Sequence, residues 1–243
     1  MSLPAPHATR CRNCDSALGP AQRFCAQCGQ RTDLAPRLTL HEIGHDVLHA
    51  VLHVDQSIFS LMRDLLVRPG HVARDYIEGR RKRYFGPFAF LVIMVGLASA
   101  MIVVLGVDLF KPIGDNPTAH VLSRHVNLVV LFQLPILAAL CWLFFINEKL
   151  TYAENLVFTA YVSGFRALIL GVVLAPIVRI THSSPSAPAL AFSYYGVWAL
   201  YLSFAATQFY RGNRVLTVIK VILAAAACQV ITVGAIYFIA FHV

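Results

Sequence analysis

Cys11-x2-Cys14 and Cys25-x2-Cys28 stand ten residues apart near the start of the chain. Cysteines at this spacing present two thiolates from one tight turn, and two such turns fill the corners of a tetrahedron around Zn²⁺ at about 2.3 Å per bond. Four sulfurs leave no position for water, so a zinc held this way is structural. The module at residues 11–31 is too short for a core of its own and is expected to fold around the ion. Asn13 and Gly29 suit the turns that aim backbone amides at the sulfurs. Cys141 and Cys228 stand alone in apolar runs and read as small buried hydrophobes.

A second string with metal chemistry is His41-Glu42-Ile43-Gly44-His45, which matches H-E-x-x-H. On a helix the two imidazoles share a face and could hold Zn²⁺ while Glu42 activates its water, as in a zinc hydrolase. His49 and His53 extend the row at the same four-residue step. The longer protease pattern fails, because Leu48 and Val51 stand where it requires glycine and histidine. His49 would add a ligand from the same helix rather than close the shell from another direction. The expectation is therefore a surface helix whose histidines line a polar face, with a second site at His41 and His45 and catalysis by Glu42 as the minority reading.

The third residue of interest is Arg166, ten residues into an apolar stretch. A guanidinium there costs ~2.5–3.5 kcal/mol on insertion scales, so it must find a polar partner or a cavity, or snorkel to the surface. Glu154 is twelve residues back, too far for a helical pair. Candidate partners on other stretches are Asn127, Gln133, Gln208 and Gln229. An anionic ligand is the natural occupant of a polar pocket around Arg166.

These residues are carried by a chain of 243 residues, 58% apolar and 13% charged, with mean hydropathy +0.65. Soluble domains run near 25% charged, and disorder requires low hydrophobicity, so the composition excludes both a single soluble core and a disordered chain. What it fits is an all-α polytopic membrane protein. Residues 1–10 read as a loose tail. Residues 38–87 carry helical apolar spacing, interrupted at Arg68-Pro69-Gly70, and a second short helix from about His71 to Lys82 ends in the basic run Arg80 to Arg83. Residues 88–243 contain five apolar stretches: Phe88–Val107, Val126–Ile146, Leu156–Val178, Ala189–Phe209 and Val215–Phe241. Each has at least 20 residues, enough for a ~30 Å hydrocarbon core. Pro135 and Pro176 should kink the second and third.

One side of this frame collects Arg74, Arg80, Arg81, Lys82, Arg83, Lys149, Arg211 and Arg214; the other has Lys111, Arg124 and Arg179. The positive-inside rule then puts the N-terminus in the cytosol and the C-terminus outside. No apolar signal segment lies near Met1. The formal charge of +8 is explained by this topology rather than by nucleic acid. Phe192, Tyr194, Tyr195 and Trp198 fall at the outer start of the fourth stretch, where an aromatic belt belongs.

The order of elements resembles an uncharacterised family of bacterial multispan membrane proteins with a four-cysteine zinc ribbon. The resemblance lies in Asp55, Arg63-Asp64-Leu65-Leu66-Val67-Arg68-Pro69-Gly70, Asp75-Tyr76-Ile77-Glu78-Gly79-Arg80-Arg81-Lys82-Arg83-Tyr84 and Pro87-Phe88, with Tyr152 to Phe158 and Tyr210-Arg211-Gly212-Asn213 further on. It implies a ribbon-headed protein of the inner membrane with no assigned activity. The HEIGH string is not part of the family's pattern, and Tyr161 and Ser163 stand where the family carries histidines. The reading that follows is non-enzymatic: a cytosolic docking platform at the bilayer surface, its partner a cytosolic protein or a second copy. A transporter or lipid-handling protein built around Arg166 is the second class, and the zinc hydrolase at His41, Glu42 and His45 the third.

Overall fold

The computed structural model describes residues 9–19, 22–32, 57–107, 126–181 and 188–242. The HEIGH string, His49, His53 and the amphipathic stretch before residue 57 lie outside these, as do Lys111, Arg124 and most of the tail. The described residues are overwhelmingly helical, as the composition and periodicity require. Extended pairing among them is confined to two isolated bridges, Arg10 with Ala17 and Phe24 with Arg31.

Helix α1 (Ser57–Val67) buries Ile58, Leu61 and Leu65, spaced for one face, and exposes Phe59, Leu66 and Val67 on the other. Arg68 pairs with Asp64 at 2.7 Å, and Pro69 opens helix α2 (Pro69–Ile77) at the position where its missing N–H costs nothing. Both helices stop where the sequence carries Arg68-Pro69-Gly70 and Glu78-Gly79. Gly79 takes φ +105, a conformation glycine adopts freely, and turns the chain into the short 3₁₀ segment Arg81–Arg83. Pro87 then starts α3 (Pro87–Leu105), which ends on Gly106 at φ +60.

After α4 (Val126–Phe144), Thr151 caps α5 (Tyr152–Leu168). The Thr151 hydroxyl accepts from the Glu154 amide at 3.2 Å and the Glu154 carboxylate accepts from the Thr151 amide at 2.8 Å. Glu154 is thus occupied at its own helix start. The chain continues through a π-helical stretch, Ile169–Leu174, into α6 (Ala175–Thr181). The expected distortion at Pro176 takes this form: the widened turn lies directly before a residue that cannot donate to the carbonyl four positions back. Helices α7 (Pro188–Phe209) and α8 (Arg214–His242) complete the bundle, and Asn213 caps α8 with its side-chain oxygen 2.9 Å from the Val215 amide.

Helix α5 is the centre, buried along nearly its whole length, with α3 and α4 packed along it. A Cβ on Gly164 would meet the Phe90 ring at 2.8 Å, and one on Gly171 would meet Ala98 Cα at 2.4 Å, so α3 comes close to α5 and to the π-helical stretch after it at these two glycines. The outer faces are apolar, with Val103, Val104, Phe132, Leu200 and Val230 each more than 70% exposed. Arg81–Leu105, Tyr152–Thr181 and Arg214–Phe238 are helices of 25, 30 and 25 residues, long and apolar enough to cross a membrane. Val129–Phe144 is a shorter apolar helix. A bundle with lipid-compatible faces on such helices is a membrane-associated one.

The basic juxtamembrane segment is not a loose surface helix. Pro69, Gly70, Val72, Ala73, Tyr76 and Ile77 of α2 are buried, and α2 packs against α7 and α5. A Cβ on Gly70 would fall 2.2 Å from the Ala205 carbonyl oxygen. Arg74 donates to the Phe209 carbonyl at 2.7 Å, Tyr201 to the Leu65 carbonyl at 3.0 Å and Tyr161 to the Phe85 carbonyl at 2.8 Å. The α1–α2 pair is therefore built into one end of the bundle.

Candidate metal centre and buried arginine cluster

The two cysteine pairs converge. Cys11 Sγ lies 3.6 Å from Cys28 Sγ and Cys14 Sγ 3.6 Å from Cys25 Sγ, and all four sulfurs lie within 4.8 Å of one another. A tetrahedron with metal–sulfur bonds of about 2.3 Å has sulfurs about 3.8 Å apart, so the set fits such an ion with little adjustment. All four thiols are free of disulfides.

Local backbone explains the convergence. In the first knuckle the Asp15 amide donates to the Cys11 carbonyl at 2.8 Å, and in the second the Gly29 amide donates to the Cys25 carbonyl at 2.8 Å. Asp15 and Gly29 occupy equivalent places at φ 60 and φ 68, the left-handed turn that reverses the chain behind each pair. The sequence reading identified Gly29 but chose Asn13 for the first knuckle. Asn13 Oδ1 is instead buried with no partner among the described residues, and Asp15 supplies the turn. Aspartate tolerates this conformation better than most residues, which is the signal that could have found it.

Ser16 Oγ sits 3.1 Å from both Cys14 Sγ and Cys25 Sγ. Its hydroxyl, with the Cys28 and Gln27 amides, holds the Cys25 thiol down to about 6, and the same hydroxyl lowers Cys14. Burial pushes Cys11 up to about 11. In the absence of an ion the site thus favours a thiolate on the Ser16 side, the form a metal needs.

The module is joined to the helices by one side chain. Gln30, only 3% exposed, donates from Nε2 to the Gly79 carbonyl and accepts at Oε1 from the Lys82 amide at 3.1 Å. Its own carbonyl accepts from the Cys25 amide at 2.8 Å, and Arg12 lies across Gly79, with Cδ 3.0 Å from where a Cβ would stand. Both ends of the Gln30 amide are used, so the second knuckle grips the turn that carries Arg80 to Arg83. Nothing in the sequence pattern signals this contact, which spans 49 residues.

Arg166 is buried near the middle of the 30-residue helix. Its Nε donates to Tyr194 Oη at 2.9 Å and its Nη1 to Gln133 Oε1 at 3.1 Å; Gln133 passes the chain to Gln229 at 3.0 Å, which donates to Tyr195 Oη at 3.3 Å. The guanidinium carbon lies 4.4 Å from the Trp198 ring centre and 5.4 and 5.8 Å from those of Tyr194 and Tyr195. Of the candidate partners, Gln133 and Gln229 are in the network. Gln208 instead accepts from the Gly70 amide at 3.1 Å, and the side chain of Asn127 lies outside the described ones. Of the aromatics read as an outer belt, Tyr194, Tyr195 and Trp198 turn inward as a cage, because cation–π attraction, the Tyr194 hydroxyl and the Gln133 amide together offset the cost of the buried charge. The contacts recorded for Arg166 among the described residues are to neutral groups.

These observations define a helical, membrane-associated protein with an N-terminal four-cysteine module suited to a metal ion. Residues 55–98 match the model of a family described as a protein of unknown function, DUF3667. That stretch holds the Arg-Pro-Gly and Arg-Arg-Lys-Arg-Tyr motifs on which the resemblance to an uncharacterised family rests, while Tyr152 to Phe158 and Tyr210 to Asn213 lie beyond it. No curated protein and no solved structure matches the chain.

Proposed function

We propose that the chain is a non-enzymatic docking protein of a bacterial inner membrane, crossing it five times with the N-terminus cytosolic and the C-terminus outside. Cys11, Cys14, Cys25 and Cys28 hold one structural zinc, and the platform presented to a cytosolic partner is the ribbon together with the α1–α2 pair. The observation that supports this best is the grip of Gln30 on Gly79 and Lys82, which makes the ribbon and the basic turn one surface. A closed four-sulfur shell supplies folding energy but no open coordination position for chemistry. The test is metal content with topology. One zinc per chain, retained in a His41→Ala, His45→Ala double variant, with reporters at Met1 and Val243 in opposite compartments, is the expected result. A second zinc lost in that variant would bring back the hydrolase, and reporters on one side would end the five-span reading.

The neutral contacts of Arg166 favour a second reading, a transporter or lipid-handling protein that draws an anionic ligand to this charge. It predicts that Arg166→Leu abolishes transport or ligand binding in a protein that still folds.

A further inference from the structure

The ribbon has a face that structural zinc does not account for. Arg10, Arg12 and Arg31 wall a single shallow, open cleft, with Gln30 and Thr32 in the wall between them. Arg10 is paired with Asp15 at 3.2 Å, but both side chains are at least 70% exposed, where such pairs contribute little. Among the described residues, those that line the cleft include no carboxylate.

The cleft lies against the membrane-entry turn. Gln30 fixes its wall to Gly79 and Lys82, and Arg12 crosses Gly79, so the cleft adjoins the turn that bears exposed Lys82 and Arg83 and Arg80, which pairs with Asp75 at 3.3 Å. Four residues after Arg83 the chain enters α3, whose helix is apolar enough to cross a bilayer. One explanation of the arginines is that they only neutralise the metal centre, since a zinc bound by four thiolates carries two negative charges. That is not enough. The eight basic residues Arg10, Arg12, Arg23, Arg31, Arg80, Arg81, Lys82 and Arg83, less Asp15, Asp33, Asp75 and Glu78 and less those two charges, leave residues 10–33 and 75–83 together at +2. A guanidinium fork matches phosphate oxygens in pairs, and a basic surface at the start of a span meets anionic headgroups.

We propose that this cleft, walled by Arg10, Arg12 and Arg31 and set beside the turn that carries Arg80 and Lys82, binds the phosphate of an anionic phospholipid headgroup. The inference rests on the reading of this end as the membrane face. It assigns the ribbon a ligand: the module is a headgroup clamp as well as a protein platform, and a lipid seated there holds the ribbon flush with the bilayer.

The experiment uses the full-length, zinc-loaded protein in detergent, so that it does not depend on which compartment the ribbon faces. Phosphatidylglycerol, phosphatidylcholine and glycerol phosphate are each titrated and bound species counted by native mass spectrometry, for the wild type, Arg12→Gln/Arg31→Gln and Arg12→Lys/Arg31→Lys. Phosphatidylglycerol should bind selectively, weaken by roughly tenfold or more in the glutamine variant and recover part of that loss in the lysine variant. All three proteins should keep one zinc, which shows the ribbon folded. Equal phosphatidylglycerol binding by wild type and glutamine variant would overturn the proposal. So would glycerol phosphate binding as tightly as the lipid, which would make the cleft a site for soluble phosphates. Reporter topology that contradicted a cytosolic ribbon would overturn the docking reading while leaving these titrations interpretable.

Discussion

Gln30→Ala isolates the contact between ribbon and helices. It removes the bond to the Gly79 carbonyl and the 3.1 Å bond from the Lys82 amide, while touching no cysteine. Each bond contributes about 0.5–1.5 kcal/mol net, and Lys82 is exposed, so water can reach the freed amide and the full penalty of a dry unpaired donor does not apply. The sum is about 2 kcal/mol, a factor of roughly thirty in the local opening equilibrium. Hydrogen exchange at the Lys82 amide in the zinc-loaded protein should accelerate by about that factor, with amides in the middle of α5 unchanged. Chelation should accelerate the same amide, because the Cys25 amide holds the Gln30 carbonyl only while the second knuckle is formed. The two perturbations act through one contact, so chelating the Gln30→Ala protein should add little at Lys82. Wild-type exchange at Lys82 in Gln30→Ala, with zinc content intact, would refute the idea that this side chain couples module to membrane edge.

Three further outcomes are expected. The Ser16 hydroxyl holds the Cys25 thiol down to about 6, well below its ordinary 9.0, so Ser16→Ala should move the pH at which the full-length protein takes up zinc upward. The lowered Cys25 value contributes stability to the formed knuckle that is present above pH 9 and lost as pH falls through 6, so acid should weaken zinc retention; an unchanged pH midpoint in Ser16→Ala would contradict the Ser16 geometry. Gly70→Ala should cost about 3 kcal/mol, read as a lowered melting temperature in detergent, because its Cβ meets backbone of α7 at 2.2 and 2.6 Å and α2 must lift away; a neutral result would rule out this close packing. Arg166→Met should destabilise by about 1–3 kcal/mol as Gln133 and Tyr194 lose their donor, and an unchanged melting temperature would show that the cage does not depend on its cation.

What could be read in advance follows from how local each signal is. The cysteine pairs were legible because ligand spacing is a property of a single turn, and the apolar helices because lipid imposes length and composition on each one separately. Gln133 and Gln229 could be named as partners of Arg166 because polar residues in apolar runs must find one another. The cage was not legible: Tyr194, Tyr195 and Trp198 satisfy an interfacial belt equally well, and only the approach of α7 to α5 turns them inward. Glu154 was considered as a distant ion-pair partner, yet Thr151-x-x-Glu154 is a capping pattern that local reasoning could have recognised. The helix expected from about His71 to Lys82 starts at Pro69 and ends at Ile77, since Gly79 at φ +105 breaks it before the basic run.

The stretch matching the family of unknown function coincides with the part of the molecule that joins the ribbon to the helices. Within residues 55–98, Gly70 and Arg74 meet α7, Tyr76 and Phe85 meet Tyr161 of α5, Tyr84 donates to Asp75 at 2.9 Å, and Gly79 and Lys82 receive Gln30 of the ribbon. Several of these contacts run through backbone atoms or through glycines without room for a side chain, so they tolerate substitution poorly for reasons of geometry rather than of catalysis. A junction of this kind transmits position: a force on the ribbon reaches α7 through α2, and α5 through Phe85. That arrangement suits the proposed docking role, in which the ribbon must be held at a fixed height and angle to the bilayer, and it locates the structural demand in residues 55–98 even though neither the cysteines nor Arg166 lies within them.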